Sequence, residues 1–250
     1  LDRKIKVSAV SYLNTKPLLY GIERHPVMQE IDLALEYPAQ IAQHLREGTA
    51  DMGLVPVAAI PAIPGARIVS DFGIAATGKV ASVCIFSKVP MEEITHLYLD
   101  YQSRTSVRLA QVLLRHYWQK EVALLQAPEN YIGLIGGTTA GVIIGDRALQ
   151  QLPHFPYIYD LAEHWQLHTG LPFIFAAWVA NKELPDPFVR RFNEACAEGL
   201  AHIDEVIAEH PFPPYDLNTY YRENIRYTLD EEKKKGLERF LEYLKEPAIV

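Results

Sequence analysis

Short polar side chains gather at three places where an apolar, strand-like run gives way to a helix start. Ser11, Tyr12, Asn14 and Thr15 lie between the run Ile5 to Val10 and Pro17; Ser103, Arg104, Thr105 and Ser106 follow Thr95 to Asp100; Gly145 and Asp146 follow Ala140 to Ile144. Helix starts present unpaired N–H groups and partial positive charge, and open α/β sheets place ligands at strand ends, so the guest expected at such turns is a small anion. Thr105 and Ser106 offer hydroxyl and N–H donors together, and Arg104 adds a planar fork that suits a carboxylate. Each turn also has a plainer reading. Thr15 can cap its helix while Tyr12 packs in the core, and Ser103 can be an N-cap that leaves Arg104 in water.

Ser82 stands in the apolar run Val80 to Ser87, on the same side as Cys84 if that run is extended. No nucleophile elbow and no dedicated His and Asp accompany it, which argues against a serine hydrolase. The nine histidines show no metal-ligand spacing. His164 and His168 are four apart, but Gly170 and Pro172 leave little helix to hold them and no third ligand stands near. The glycines between Gly133 and Gly137 carry no Walker lysine, and no G-x-G-x-x-G follows the first run. Neither a metal nor a cofactor is expected.

The elements that must position these residues follow from periodicity. Strand Ile5 to Val10 leads into a helix from Pro17 that cannot run far past Gly21, and Ile31 to Glu36 alternates as a second strand. Pro38 opens a helix with Ile41, Ala42 and Leu45 on one face and Gly48 at its C-terminal cap, before strand Asp51 to Pro56. Strand, helix, strand in that order implies parallel pairing with a right-handed crossover. Arg67 to Ser70, Phe72 to Ala76 and Val80 to Ser87 read as three strands. A second α/β unit then runs through the strand Thr95 to Asp100, a helix from Ser103, the strand Val122 to Leu125, the strand Ala140 to Ile144 and a helix from Arg147 capped by Asp146. Cys84 to Phe86 and Phe173 to Ala180 are expected to lead the chain into and out of this unit. A helix from Asp186 stops before Pro211, and a capping box at Thr228 to Glu231 opens a last helix. The expected architecture is two α/β lobes, residues 1–88 with 179–250 and residues 89–178, the second inserted in the first, with a ligand cleft between them.

Composition agrees with such a fold. The chain has 250 residues, 49% apolar and 22% charged, with a formal net charge of −7 and no basic block of the kind that binds nucleic acid. Two cysteines, Cys84 and Cys196, give no disulfide framework and read as small buried hydrophobes. No apolar run approaches the ~20 residues that span a membrane. No signal peptide is visible, which points to the cytoplasm, although the sequence begins at Leu1 rather than Met. No pattern speaks to oligomeric state.

At Ser11-Tyr-Leu-Asn-Thr-Lys-Pro-Leu18, Asp100-Tyr-Gln-Ser-Arg-Thr-Ser106, Ile143-Ile-Gly-Asp146 and Thr169-Gly-Leu-Pro-Phe173 with Trp178, the sequence resembles the chorismate dehydratases of the futalosine route to menaquinone. The resemblance spans most of the chain, and its combination of motifs is specific where each alone is weak. It implies the type II periplasmic-binding-protein fold, which agrees with the inserted lobe. It also implies loss of water from chorismate to give 3-[(1-carboxyvinyl)oxy]benzoate, a small-molecule reaction without a cofactor. On the same resemblance Asn14 and Ser82 touch the reacting part of the substrate and Thr105 with Ser106 holds a carboxylate. Tyr12, Ser103, Arg104, Gly145 and Asp146 complete the expected binding set.

A sister family of the same fold, the 1,4-dihydroxy-6-naphthoate synthases, is resembled more distantly. It is expected to carry a histidine base in an Ile-Ile-His-Glu pattern, where this chain has Gly145. Glycine cannot act as a base. A solute-binding protein for a small anion is the competing reading from another class, since most proteins of this shape only bind.

Overall fold

The computed structural model describes residues 3–248. In chain order its main elements are β1 (Ile5–Ala9), α1 (Lys16–Arg24), β2 (Ile31–Leu35), α2 (Pro38–Glu47), β3 (Met52–Pro56), β4 (Arg67–Ala76), β5 (Val83–Ser87), β6 (His96–Leu99), α3 (Arg104–His116), β7 (Ala123–Gln126), β8 (Thr139–Ile144), α4 (Asp146–Gln151), β9 (Tyr157–Asp160), α5 (Leu161–Thr169), β10 (Phe173–Ala180), α6 (Asp186–Ala201), α7 (Ile203–Glu209), α8 (Leu217–Thr219), β11 (Arg226–Thr228) and α9 (Glu231–Tyr243). They form two compact units, Leu1–Ala75 with Ile174–Asp230 and Ala76–Phe173 with Glu231–Val250.

The first unit holds a six-stranded sheet in the order β11-β4-β10-β3-β1-β2. β1 pairs in parallel with both β2 and β3, as the strand–helix–strand pattern requires, and β10 returns antiparallel to β3. α2 begins on Pro38 and stops at Gly48, whose φ of 71° is the left-handed conformation of a glycine C-cap. α1 and α6 cross at two glycines. A Cβ on Gly21 would lie 1.9 Å from the Ala195 carbonyl oxygen, and one on Gly199 would lie 1.9 Å from that of Pro17. Gly21 is therefore a contact point within α1 and not its end, which is why the helix continues to Arg24.

The expected break between Ser70 and Phe72 is absent, and β4 is one strand of ten residues. Ser70 Oγ donates to Asn193 Oδ1 at 2.7 Å, while Asn193 Nδ2 donates to Asp71 Oδ2 at 2.9 Å, so the polar pair is satisfied within the extended chain. A Cβ on Gly73 would fall 2.6 Å from the Ala176 carbonyl, so this glycine serves close strand packing and not a turn. The long helix expected from Asp186 is two, α6 and α7, broken at His202.

The second unit holds a five-stranded sheet, β7-β6-β8-β5-β9. β6 runs parallel to β7 and β8, whereas β5 is antiparallel to β8 and β9. Cys84, Phe86, Tyr131, Ile135, Ile143 and Ala148 form a core cluster against this sheet. Two boundaries differ from those expected. The strand around Cys84 belongs to the second unit, because its ladder partners β8 and β9 lie there; β4 leads into the unit instead. The last helix belongs there too: Phe240 packs edge-on against Trp165 and Phe173. β9 and α5 carry no strong periodic signal, since Tyr157 to Asp160 is a short, partly exposed edge strand. Among the described residues no helix is long and apolar enough to cross a membrane.

Candidate functional site

In the first unit, β1 ends at Ala9 and the chain makes one tight helical turn, Leu13–Thr15, before α1. The backbone N–H of Thr15 bonds the Tyr12 carbonyl at 3.0 Å, and Lys16 Nζ donates to Ser11 Oγ at 2.8 Å. Thr15 stands at the N-cap position of α1, yet its side chain makes no capping bond. Fully buried, it donates its hydroxyl to Asn14 Oδ1 at 3.0 Å. The expected helix cap is thus a buttress for Asn14, because Thr15 already has helical backbone angles that aim its side chain away from the next turn's N–H groups. Tyr227 donates to the Asn14 main-chain oxygen at 2.9 Å, and burial raises the Tyr227 phenol pKa well above its ordinary value, so it remains a donor. The Asn14 amide oxygen accepts the Thr15 bond, which fixes the orientation of the side chain. A cavity of about 330 Å³ opens beside this turn, lined by Ser11, Tyr12, Leu35 and Tyr37 among others; Leu35 and Tyr37 are exposed.

Ser82, in the second unit, lies just before β5 and not within it, and it is 1% exposed. Its N–H donates to the Val80 carbonyl at 2.8 Å around Ala81, whose φ is +62°. That is a γ-turn of the rarer hand, and holding an L-residue there costs about 1–2 kcal/mol. Asp160 holds the turn. Its Oδ2 accepts from Val80 N–H at 3.0 Å and Ala81 N–H at 2.7 Å, while Oδ1 accepts from Ala162 and Glu163 N–H at 3.1 Å each. Burial raises the Asp160 pKa against these four donors, which favour the charged form. On the other side Gly145 N–H donates to the Ser82 carbonyl at 2.7 Å. The sheet therefore brings Ser82 and Gly145 together across β5 and β8.

Gly145 has φ 65° and ψ −147°, a region open essentially to glycine alone. Asp146 is the first residue of α4, so the expected cap is corrected: the cap position belongs to Gly145.

At the third turn Ser103 caps α3, its Oγ accepting from Ser106 N–H at 3.1 Å and donating to Ser106 Oγ at 2.8 Å. Thr105 and Ser106 are buried, and Arg104 is exposed, as the plainer reading of that residue had it. The basic group that reaches this turn is Arg147. It donates to Asp100 Oδ2 at 2.7 Å and to Gln102 Oε1 at 3.0 Å. Asp100, fully buried, also accepts from Tyr131 OH at 2.7 Å and from Gln102 N–H at 2.7 Å. Burial and then the Asp100 charge push the Tyr131 phenol far above its ordinary pKa, which fixes it as a donor. The sequence marks Arg147 only as a helix start; the signal available was its position three residues past the β8 end, level with the other strand ends.

His164 and His168 both lie on α5, which runs to Thr169 with Gly170 as its cap, so the helix is longer than expected. His164 Nδ1 bonds the Asp160 carbonyl at 2.7 Å and His168 Nε2 the Tyr243 hydroxyl at 3.0 Å. Both are structural contacts.

These geometries can be set beside known proteins. A chorismate dehydratase of Thermus thermophilus is 31% identical over 206 residues, 71% of this chain and 73% of that protein. One of Campylobacter jejuni is 26% identical over 243 residues, 94% and 96% of the two chains. Among solved structures, a protein of Archaeoglobus fulgidus superposes with a TM-score of 0.74 at 14% identity, covering 97% of each chain. The periplasmic aliphatic sulphonate binding protein of Escherichia coli superposes with a TM-score of 0.59 at 15% identity, covering 99% of this chain and 95% of that one. These likenesses establish the periplasmic-binding-protein fold. The family model for menaquinone biosynthesis matches residues 5–246, and on that match the chain belongs to the menaquinone-biosynthesis family.

Proposed function

We propose that this protein is a chorismate dehydratase, a hydro-lyase that converts chorismate to 3-[(1-carboxyvinyl)oxy]benzoate and water. The observation that carries the reading is the match to two chorismate dehydratases, one of them along nearly the whole of both chains. The ring C–H beside the enolpyruvyl ether is lost as a proton, and its electron pair becomes ring π-bond. The C–O bond to the neighbouring hydroxyl breaks at the same ring edge. Proton and hydroxide leave together as water, and aromatisation supplies the driving force.

With that driving force the protein's task is positioning and stabilisation of charge. Asn14 and Ser82 are assigned to the reacting part of the substrate: both are uncharged, and both are held by neighbours that fix their orientation. Thr105 and Ser106 are assigned to a carboxylate, with Arg147 adding positive charge at that turn. Tyr12, Ser103, Arg104, Gly145 and Asp146 complete the binding set, Arg104 through its exposed fork. A substrate carboxylate serves as the base: no His, Glu or Lys stands among the assigned residues, and Asp146 is assigned to binding. The assignment includes a cytoplasmic location, in keeping with two free, buried cysteines.

The backbone of Gly145 favours the dehydratase over the sister synthase, because a histidine cannot take its φ and ψ without strain. Incubation with chorismate, followed by ultraviolet absorbance and mass analysis, tests the proposal. The expected result is loss of the cyclohexadiene and a product lighter by one water. Chorismate left unchanged by folded protein that binds it would sink the enzyme reading and leave a binding protein.

A further inference from the structure

We propose that Asp160 is a positioning residue for Ser82: its buried carboxylate holds the strained Val80–Ala81–Ser82 turn in place and so fixes where the Ser82 hydroxyl is presented. This inference rests on the reading of Ser82 as a group that touches substrate. Among the described residues the Asp160 carboxylate bonds backbone N–H groups and the Cys84 thiol, whose Sγ lies 3.9 Å from Oδ2.

The two oxygens of Asp160 do different work. Capping α5 needs only Oδ1, which receives Ala162 and Glu163 N–H. Oδ2 receives Val80 and Ala81 N–H from a segment 79 residues away or more, at the one backbone position of the β5 strand start that an L-residue avoids. Those two bonds, together with the Cys84 Sγ contact to the Ala81 carbonyl at 3.4 Å, oppose relaxation of Ala81 to negative φ, which would swing Ser82 out of register with Gly145. A side chain that served only as a helix cap would not need to reach Ala81. Strain concentrated at a single residue beside a reactive group, with a buried carboxylate devoted to it, is the pattern expected of pre-organisation.

Asp160→Asn separates the two roles, because asparagine caps helices as well as aspartate does but turns an NH2 group toward the Val80 and Ala81 N–H groups. The expected result is a folded variant whose kcat on chorismate falls about tenfold or more while KM stays within about threefold. In a Ser82→Ala background the same substitution should then cost nothing further. Ala81→Gly should restore part of the kcat of Asp160→Asn, since glycine takes positive φ without a Cβ penalty. If Ser82→Ala is impaired and the two losses simply multiply, Asp160 acts independently of Ser82 and the proposal is overturned, while the reading of Ser82 stands. Wild-type kcat in Asp160→Asn overturns it as well. Wild-type kcat in Ser82→Ala removes the reading of Ser82, and this inference with it. Should Asp160→Asn fail to fold, Ala81→Val breaks the turn without touching the carboxylate, and the same cycle with Ser82→Ala decides by the same criterion.

Discussion

The turn that carries Asn14 and the turn that carries Ser82 present the same kind of group, a short uncharged side chain at a strand end, by opposite means. Around Asn14 the backbone is relaxed and the side chain is held by other side chains, Thr15 on its amide oxygen and Tyr227 on its carbonyl. Around Ser82 the backbone is strained, and main-chain groups of Val80 and Gly145 with the carboxylate of Asp160 hold it. The first arrangement fixes an amide's rotamer, which matters when donor and acceptor edges differ. The second fixes the position of a hydroxyl, whose proton can rotate wherever its oxygen is placed. A difference in side-chain chemistry thus accounts for a difference in support.

The largest effect expected is on Asn14 itself. Asn14→Ala should lower kcat by about 100-fold or more, in the range seen for loss of a charge-stabilising donor, with the thermal midpoint unchanged. An equal loss of stability and activity would instead make Asn14 part of the scaffold and erase the contrast between the turns.

The relaxed turn depends on α1 being seated, and α1 is seated at Gly21 and Gly199. Gly199→Ala should destabilise the protein by about 3 kcal/mol, the upper end for overpacking, because the group it meets is the Pro17 backbone and not a flexible side chain. Denaturant unfolding measures this. Retained stability would mean that α1 can shift without harm to the turn it starts from.

Acid should separate the two units. Burial would raise the Asp51 pKa, but hydrogen bonds from Arg3, Lys182 and the Lys6 N–H outweigh it and hold the group at about 2. Its folded pKa lies below its unfolded value. The stability it gives is complete above pH 4 and is lost as pH falls from there toward 2, about 2 kcal/mol in all. Asp160 has the opposite sign, its folded pKa being raised, so its own protonation withdraws no stability from the second unit. Amide exchange between pH 5 and 2.5 should show protection lost first around β1 and β3; uniform loss would refute the assignment.

The smallest expected effect tests the buttress. Thr15→Val keeps the buried volume and removes the hydroxyl, so kcat should fall about fivefold, the equivalent of roughly 1 kcal/mol, with little change in KM. A Thr15→Ser variant should keep the activity. If valine and serine behave alike, Thr15 is a packing residue.

Much of the fold is legible because its signals are local. Pro38 and Gly48 bracket α2, alternation marks β2, and strand–helix–strand order fixes the parallel core of the first sheet. β9 and α5 escape notice because their support is distant: Asp160 is a strand end, a helix cap and the clamp of a turn 79 residues earlier, and only the last of these explains its burial. The glycines mislead in the same way. Gly21 and Gly73 look like punctuation, yet both are points of backbone contact, which depend on what comes near and not on what precedes or follows.

The sequence by itself determined the class of architecture, the three polar turns at strand ends and the family, because each is written in neighbouring residues or in motifs that survive as short strings. Tertiary structure decided how those turns are held. It made Thr15 a buttress and not a cap, brought Arg147 to Asp100, gave Ala81 its positive φ and returned α9 to the second unit. Thr15 acts on its own neighbour, Asn14, once the local backbone has turned; each of the others is a pairing between residues far apart in the chain, and such a pairing exists only once the backbone has folded both partners into reach.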